Sequence, residues 1–199
     1  MSSAESCPGP TTAHGARTGR LKVNLGSGNE PLAGYVNVDW RRVPGVAVVA
    51  DVRWLPFASA SVERVNASSL LEHFADPYAV LDEIHRVMCP GATATFRVPS
   101  PWSYLAGLDR SHAFLADLKL WRQILGGYFE RVRVAPEGVR YRDNKLLAAL
   151  NQLAVRGLRF YEFAQVWRFE CRGKRATPRR AYIPWWLESA GGADATGVG

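Results

Sequence analysis

The chain has 199 residues, of which 47% are apolar and 22% charged. That length fits one domain better than two, and the composition is globular rather than disordered or fibrous. No window approaches 18 consecutive apolar residues, so no transmembrane helix is written here, and the N-terminus lacks the apolar core of a signal peptide, which places the protein in the cytoplasm. The net charge of +7 is unevenly spread: the first 109 residues carry 9 Lys+Arg against 10 Asp+Glu, and the remainder carries 16 against 8. A basic half points to an anionic partner, although 21 of the 25 basic residues are Arg, a bias that codon usage alone also produces. Cys7, Cys89 and Cys171, an odd number at unrelated spacings, read as reduced thiols.

Residues 1–20 are small and polar and read as a tail. Leu21, Val23 and Leu25 begin a strand that stops at the turn Gly26-Ser27-Gly28. A second strand runs from Tyr35 to Val38 and ends at Asp39. A third, Val46 to Ala50, ends at Asp51, and its continuous hydrophobicity predicts burial on both faces. A fourth covers about Arg64 to Ser68. Asp76 and Pro77 supply an N-cap and a first helical residue. Val80, Leu81, Ile84, Val87 and Met88 then form a helical face, with Pro90-Gly91 as its stop. Thr93 to Val98 is the fifth strand. Beyond it the pattern predicts a helix from Leu115 to Leu125 ended by Gly126-Gly127, and a strand from Phe129 to Val134. A helix capped by Asp143 follows, with Leu146, Leu147, Leu150, Leu153 and Ala154 on one side, and then a last strand from Phe163 to Cys171. The segment Tyr182 to Leu187 is placed against the body, and 188–199 as a second tail, which leaves 21–187 as a single domain. The order is that of an α/β open sheet.

Such a sheet presents ligands at the carboxyl ends of its strands. Gly26, Ser27, Gly28, Asp39, Asp51 and the pair Ser68-Ser69 stand at those ends. Glycines let backbone amides approach an anionic group closely, and an acid at the end of the second strand suits ribose hydroxyls. From Gly26 to Asp39 is 13 residues, short of the roughly 20 that a dinucleotide fold uses. Only Asn29 to Ala33 is left for a first helix, a stub.

Four segments in this order resemble one family. Leu21 to Trp40, Asp51 to Phe57 (DVRWLPF), Ser68 to Pro77 (SSLLEHFADP) and Leu81 to Gly91 (LDEIHRVMCPG) resemble the class I S-adenosylmethionine-dependent methyltransferases, in the branch labelled methyltransferase type 11. The resemblance is collinear over residues 21–100. It implies a Rossmann-like α/β fold, with a mostly parallel seven-stranded sheet, an antiparallel strand near the C-terminus and helices on both faces. It implies S-adenosyl-L-methionine as cofactor. It places Gly26, Ser27 and Gly28 under the methionine part, Asp39 on the ribose with Trp40 beside it, and Asp51 and Val52 at the adenine. Ser68 falls near the sulfonium, and Glu72 and His73 at the border of the site. Asn24 stands where the family's usual acid faces the cofactor's ammonium group.

The implied activity is O- or N-methylation of a small or carrier-linked sugar, lipid or metabolite. An oxygen or nitrogen acceptor calls for a base; His112, after the fifth strand, is the first candidate and His73 the second. No metal site is expected: His85 and Cys89 have pair spacing but no further Cys/His cluster nearby. The basic half keeps open a nucleic-acid methyltransferase. That reading lacks the Asn/Asp/Ser-Pro-Pro-aromatic motif after the fourth strand, where Asn66-Ala67-Ser68-Ser69 stands instead, so nucleic acid is not the expected partner. A non-catalytic cofactor-binding module is the third reading, against which the intact glycine loop and Asp39 argue. The basic helix after Asp143 leaves peripheral membrane contact open, and nothing in the sequence sets the oligomeric state.

Overall fold

The computed structural model describes residues 21–103, 106, 109–137, 145–157 and 164–180. The two tails, the Asp143 cap and the Tyr182 to Leu187 segment lie outside the described residues. Seven strands form one sheet: β1 (Leu21–Leu25), β2 (Val36–Asp39), β3 (Val48–Val49), β4 (Val62–Ser68), β5 (Met88–Pro99), β6 (Phe129–Glu137) and β7 (Val166–Lys174). Their order is β3-β2-β1-β4-β5-β7-β6. The first five are parallel, and β7 lies antiparallel between β5 and β6. This is the Rossmann-like sheet that the sequence implies. The order reverses between β1 and β4, the topological switch point where open sheets bind ligands.

Two departures occur at the start of the sheet. The expected stub helix over 29–33 is a succession of turns, so β1 joins β2 through a loop alone. Asn37 ties that loop down: its Oδ1 accepts from Leu32 N–H (2.8 Å) and from Asn24 Nδ2 (2.9 Å). The third strand is two residues long and sits at the sheet edge with Val49 47% exposed, so the apolar run is not buried on both faces.

Helix α1 (Pro77–Val87) begins as its sequence predicts, with the Asp76 carboxylate accepting from Tyr78 N–H (2.9 Å). Its buried face is Tyr78, Val80, Leu81, Ile84 and Val87. The helix ends at Val87, and β5 runs straight through Pro90-Gly91. The register against β4 jumps there, from Val62 opposite Met88 to Arg64 opposite Thr93. Proline has no N–H to lose at such an irregularity and is tolerated in it.

Helix α2 covers Leu118–Tyr128, capped by Asp117, whose carboxylate accepts from Leu120 N–H (2.7 Å). Leu115 lies before it and is 47% exposed. The two glycines do not end α2; they form its last turn. The chain at 175–179 crosses there: Arg175 Nε donates to Gly126 O (2.8 Å) and Arg179 N–H to Gly127 O (3.0 Å). A Cβ on Gly127 would stand 2.0 Å from Arg179 O, whereas one on Gly126 meets nothing within 4 Å. Gly127→Ala is therefore expected to destabilise the fold by about 1–3 kcal/mol through overpacking. Gly126→Ala is neutral or stabilising, because alanine is the better helix former. Urea denaturation of the two variants checks this, and equal midpoints would refute it.

Trp121, Tyr128, Phe129, Trp167 and Phe169 fill the core beside α1 and α2. Helix α3 (Lys145–Gln152) continues into a short π-helical turn, Leu153–Gly157. Its predicted apolar stripe is not packed away: Leu146, Leu147, Leu150 and Leu153 are all exposed. Cys171 is a free, buried thiol, as expected. Cys89 is disulfide-bonded, against expectation, since spacing alone carries no connectivity. No helix among the described residues is long and apolar enough to cross a membrane.

Candidate active site

The turn after β1 is built by conformation. Gly26 (φ +64°) and Gly28 (φ +48°) are both left-handed, a region costly for residues with a Cβ. A Cβ on Gly26 would also stand 2.8 Å from Leu70 Cδ1. Ser27 N–H donates to Val38 O (3.0 Å), pinning the turn to β2. The Ser27 hydroxyl is buried and makes no protein hydrogen bond, the signature of a group kept for a ligand. Across the switch point, Ser69 follows β4 with φ +49°, a strained setting for a non-glycine residue.

Two adjoining pockets share Gly26. One, of about 260 Å³, is lined by Trp40, Ala50, Asp51, Val52, Leu70 and Phe74 besides Gly26. The other, of about 670 Å³, has Asn24, Ser27, Gly28, Asn66, Ser68 and Arg97 in its walls, and its size is typical of a small-molecule site. Every cofactor candidate named from the sequence except Asp39 lines one or the other. Asn24 is not a free ligand group: it donates to Asn37 and accepts from Asn66 Nδ2 (2.7 Å), stitching β2, β1 and β4 together.

Asp39 is buried and engaged. Its Oδ2 accepts from Gly28 N–H (2.8 Å), and its Oδ1 from Arg41 N–H (2.9 Å) and Arg41 Nε (3.2 Å). Burial pushes its pKa up, but the hydrogen bonds from Arg41 and Gly28 outweigh this, and the carboxyl stays below its ordinary value. The Arg41 guanidinium lies against Gly28 as well, 3.2 Å from where a Cβ would be. It thus spans the glycine loop and Asp39. Asp51 is clasped in the same way by Arg53 (2.7 Å), which holds its pKa low, and the Arg53 guanidinium lies over Trp54 and Phe74. Neither arginine was singled out from the sequence. Each stands two residues after its acid, which is the readable signal.

The residues present fit S-adenosylmethionine. The small pocket is apolar with one acid at its mouth, which suits adenine. Glycine amides and a partnerless hydroxyl sit beside the larger pocket, which suits the amino-acid part. Asp39, which accepts from Gly28 N–H and precedes Trp40, suits ribose.

His73 and His112 do not line either pocket. The structure brings them together, with ring centroids 5.0 Å apart, against Glu72. All three lie beyond the end of β4, where a 3-10 turn, Leu71–His73, meets the chain at 109–114. Glu72 is 1% exposed, and both its carboxylate oxygens lack a hydrogen bond. Burial raises its pKa to about 7.

The sheet has the fold of solved structures described as SAM-dependent methyltransferases. Residues 20–96 match the family model described as a methyltransferase domain. A methyltransferase of Archaeoglobus fulgidus described as SAM-dependent shares the fold, with a TM-score of 0.55 at 16% identity, over 77% of this chain and 86% of that one. Phosphoethanolamine N-methyltransferase 2 of Haemonchus contortus, solved with S-adenosyl-L-methionine, gives a TM-score of 0.53 at 15% identity, over 79% of this chain and 49% of that one. By sequence, an uncharacterized chloroplastic methyltransferase of Arabidopsis thaliana is 34% identical over 38% of this chain. That match spans only 25% of the plant protein's length.

Proposed function

We propose that the protein is an S-adenosylmethionine-dependent methyltransferase acting on oxygen or nitrogen of a small or carrier-linked acceptor that bears an anionic group. The observation that carries the activity is the pair of pockets meeting at Gly26, with the buried, partnerless Ser27 hydroxyl in the wall of the larger one. The cofactor supplies an activated methyl group on a sulfonium. The chain's part is to hold two reactants in line. Gly26, Ser27 and Gly28 hold the amino-acid part, Asp39 the ribose, and Trp40, Asp51, Val52, Leu70 and Phe74 the adenine. Ser68 presents the reacting end, and the acceptor's proton leaves on the side of His73 and His112.

Arg97 supports the anionic acceptor. It reaches the wall of the larger pocket, with its Nη1 3.3 Å from Ser68 Oγ, and Glu137 anchors it at 2.7 Å. On β5 it stands opposite Arg168 of the neighbouring β7.

Calorimetric titration with S-adenosylmethionine is expected to show saturable one-to-one binding, and no heat of binding would sink the activity. A methyl-transfer screen with labelled cofactor then separates acceptors. Label in anionic glycan or lipid fractions supports the acceptor proposed here, and label confined to nucleic acid would replace it.

A further inference from the structure

We propose that Glu72, His73 and His112 hold a divalent metal cation of the zinc class. One ligand atom from each residue lies within 4.8 Å of the other two. A tetrahedral ion with bonds of about 2.1 Å sets its ligands roughly 3.4 Å apart, so side-chain shifts on the order of 1 Å close the set.

Three features make this more than proximity. The first is the carboxylate. Glu72 is 1% exposed, and its oxygens receive nothing beyond long backbone N–H contacts from Leu70 and from Glu72 itself. An orphaned buried acid is expensive, and a cation against it removes the cost.

The second is the state of the two rings, which their hydrogen bonds determine. His112 Nδ1 faces Ala106 O at 3.1 Å, and a carbonyl only accepts, so Nδ1 carries the proton. Ser111 Oγ gives its proton to the Asp109 carboxylate, so it can only accept from His73 Nδ1, 2.9 Å away. The neutral tautomer that these bonds select in each ring has its lone pair on Nε2. This is the outer-shell arrangement of metal-bound histidines: the second ring N–H goes to a carbonyl, or through a hydroxyl to a carboxylate.

The third is composition. Two imidazoles and one carboxylate suit Zn²⁺ and its neighbours among transition metals, not Mg²⁺ or Ca²⁺. Asp109 Oδ2, 3.7 Å from His112 Nε2, is a further oxygen at the rim.

The cluster adjoins the pockets through the same chain: Leu70 and Phe74, on either side of the 3-10 turn, line the smaller one. On the methyltransferase reading, the ion would lower the pKa of an acceptor oxygen and so take over the work of a base. Metal binding itself does not rest on that reading.

The probe is Co²⁺, titrated into the full chain freed of metal by chelation and dialysis. One equivalent is expected to give a visible absorption band, which Zn²⁺ then abolishes. Glu72→Gln and His112→Gln, both checked for folding by circular dichroism, are each expected to weaken Co²⁺ binding at least 100-fold. His85→Gln, on the far side of the fold, is expected to leave it unchanged. Absence of the band at millimolar Co²⁺, or retention of full affinity in the folded Glu72→Gln protein, would overturn the site. So would equal loss in His85→Gln, since that marks adventitious histidine binding.

Discussion

Asp39→Ala is expected to weaken S-adenosylmethionine binding by roughly 100-fold or more, the largest loss from any single side chain around the two pockets. A hydrogen bond to an ionised group contributes about 1.5–3 kcal/mol, and vicinal ribose hydroxyls offer two donors to one carboxylate. The substitution removes a second support too. Gly28 N–H and Arg41 both lose their acceptor, so the glycine loop loses its tie to the end of β2. Asp39→Asn separates these effects: it keeps the shape and one acceptor oxygen but loses the charge, and is expected to fall between wild type and alanine. Arg41→Ala is expected to bind at least as tightly as wild type. Its guanidinium competes for Asp39 Oδ1 and places a positive charge where a cationic cofactor arrives. Calorimetric titration of all three variants reads the result. Unchanged affinity in Asp39→Ala would move the ribose site elsewhere, and a large loss in Arg41→Ala would make that arginine a cofactor ligand.

The same residues show what the sequence makes legible. Gly26, Gly28, Asp39 and Asp51 stand out because backbone freedom and charge at strand ends leave a local mark, and a local mark survives without a fold. What holds each acid does not. Arg41 and Arg53 are two of 25 basic residues, and only the turn after each strand shows that they fold back on their acids. Pro90-Gly91 and Gly126-Gly127 carry a strong local stop signal that tertiary structure overrides. β5 absorbs the first pair in a register shift, and the passage of Arg179 over α2 demands Gly127 of the second. Most hidden of all is Glu72. His73 and His112 each read as a separate base, because nearly forty residues separate them along the chain. The topology carries the chain from the end of β5 back over β4, where Ala113 and Phe114 N–H both donate to Glu72 O (2.8 and 2.9 Å). Those two bonds join the cluster, and no periodicity announces them.

Glu72 also leads to the second large effect, on stability rather than binding. Its folded pKa of about 7 stands above the ordinary 4.5, because burial disfavours the charged form. Below about pH 4.5 the carboxyl is protonated in both folded and unfolded chains and costs nothing. Between there and pH 7 the unfolded chain releases the proton while the folded chain keeps it, so stability falls as pH rises. Above 7 the full cost stands, on the order of 3 kcal/mol at about 1.4 kcal/mol per pH unit. With a chelator present, Glu72→Gln is expected to match wild type near pH 4.5 and to exceed it by up to that amount at pH 8. Urea denaturation across the range measures the difference, and parallel profiles would show that the carboxyl is not held in a desolvated state. Saturating Zn²⁺ at pH 8 gives the complementary result. It is expected to raise the midpoint of wild type, where a buried charge gains its counter-ion, and to leave Glu72→Gln where it was. A gain in both proteins would mean that the ion binds without this carboxylate.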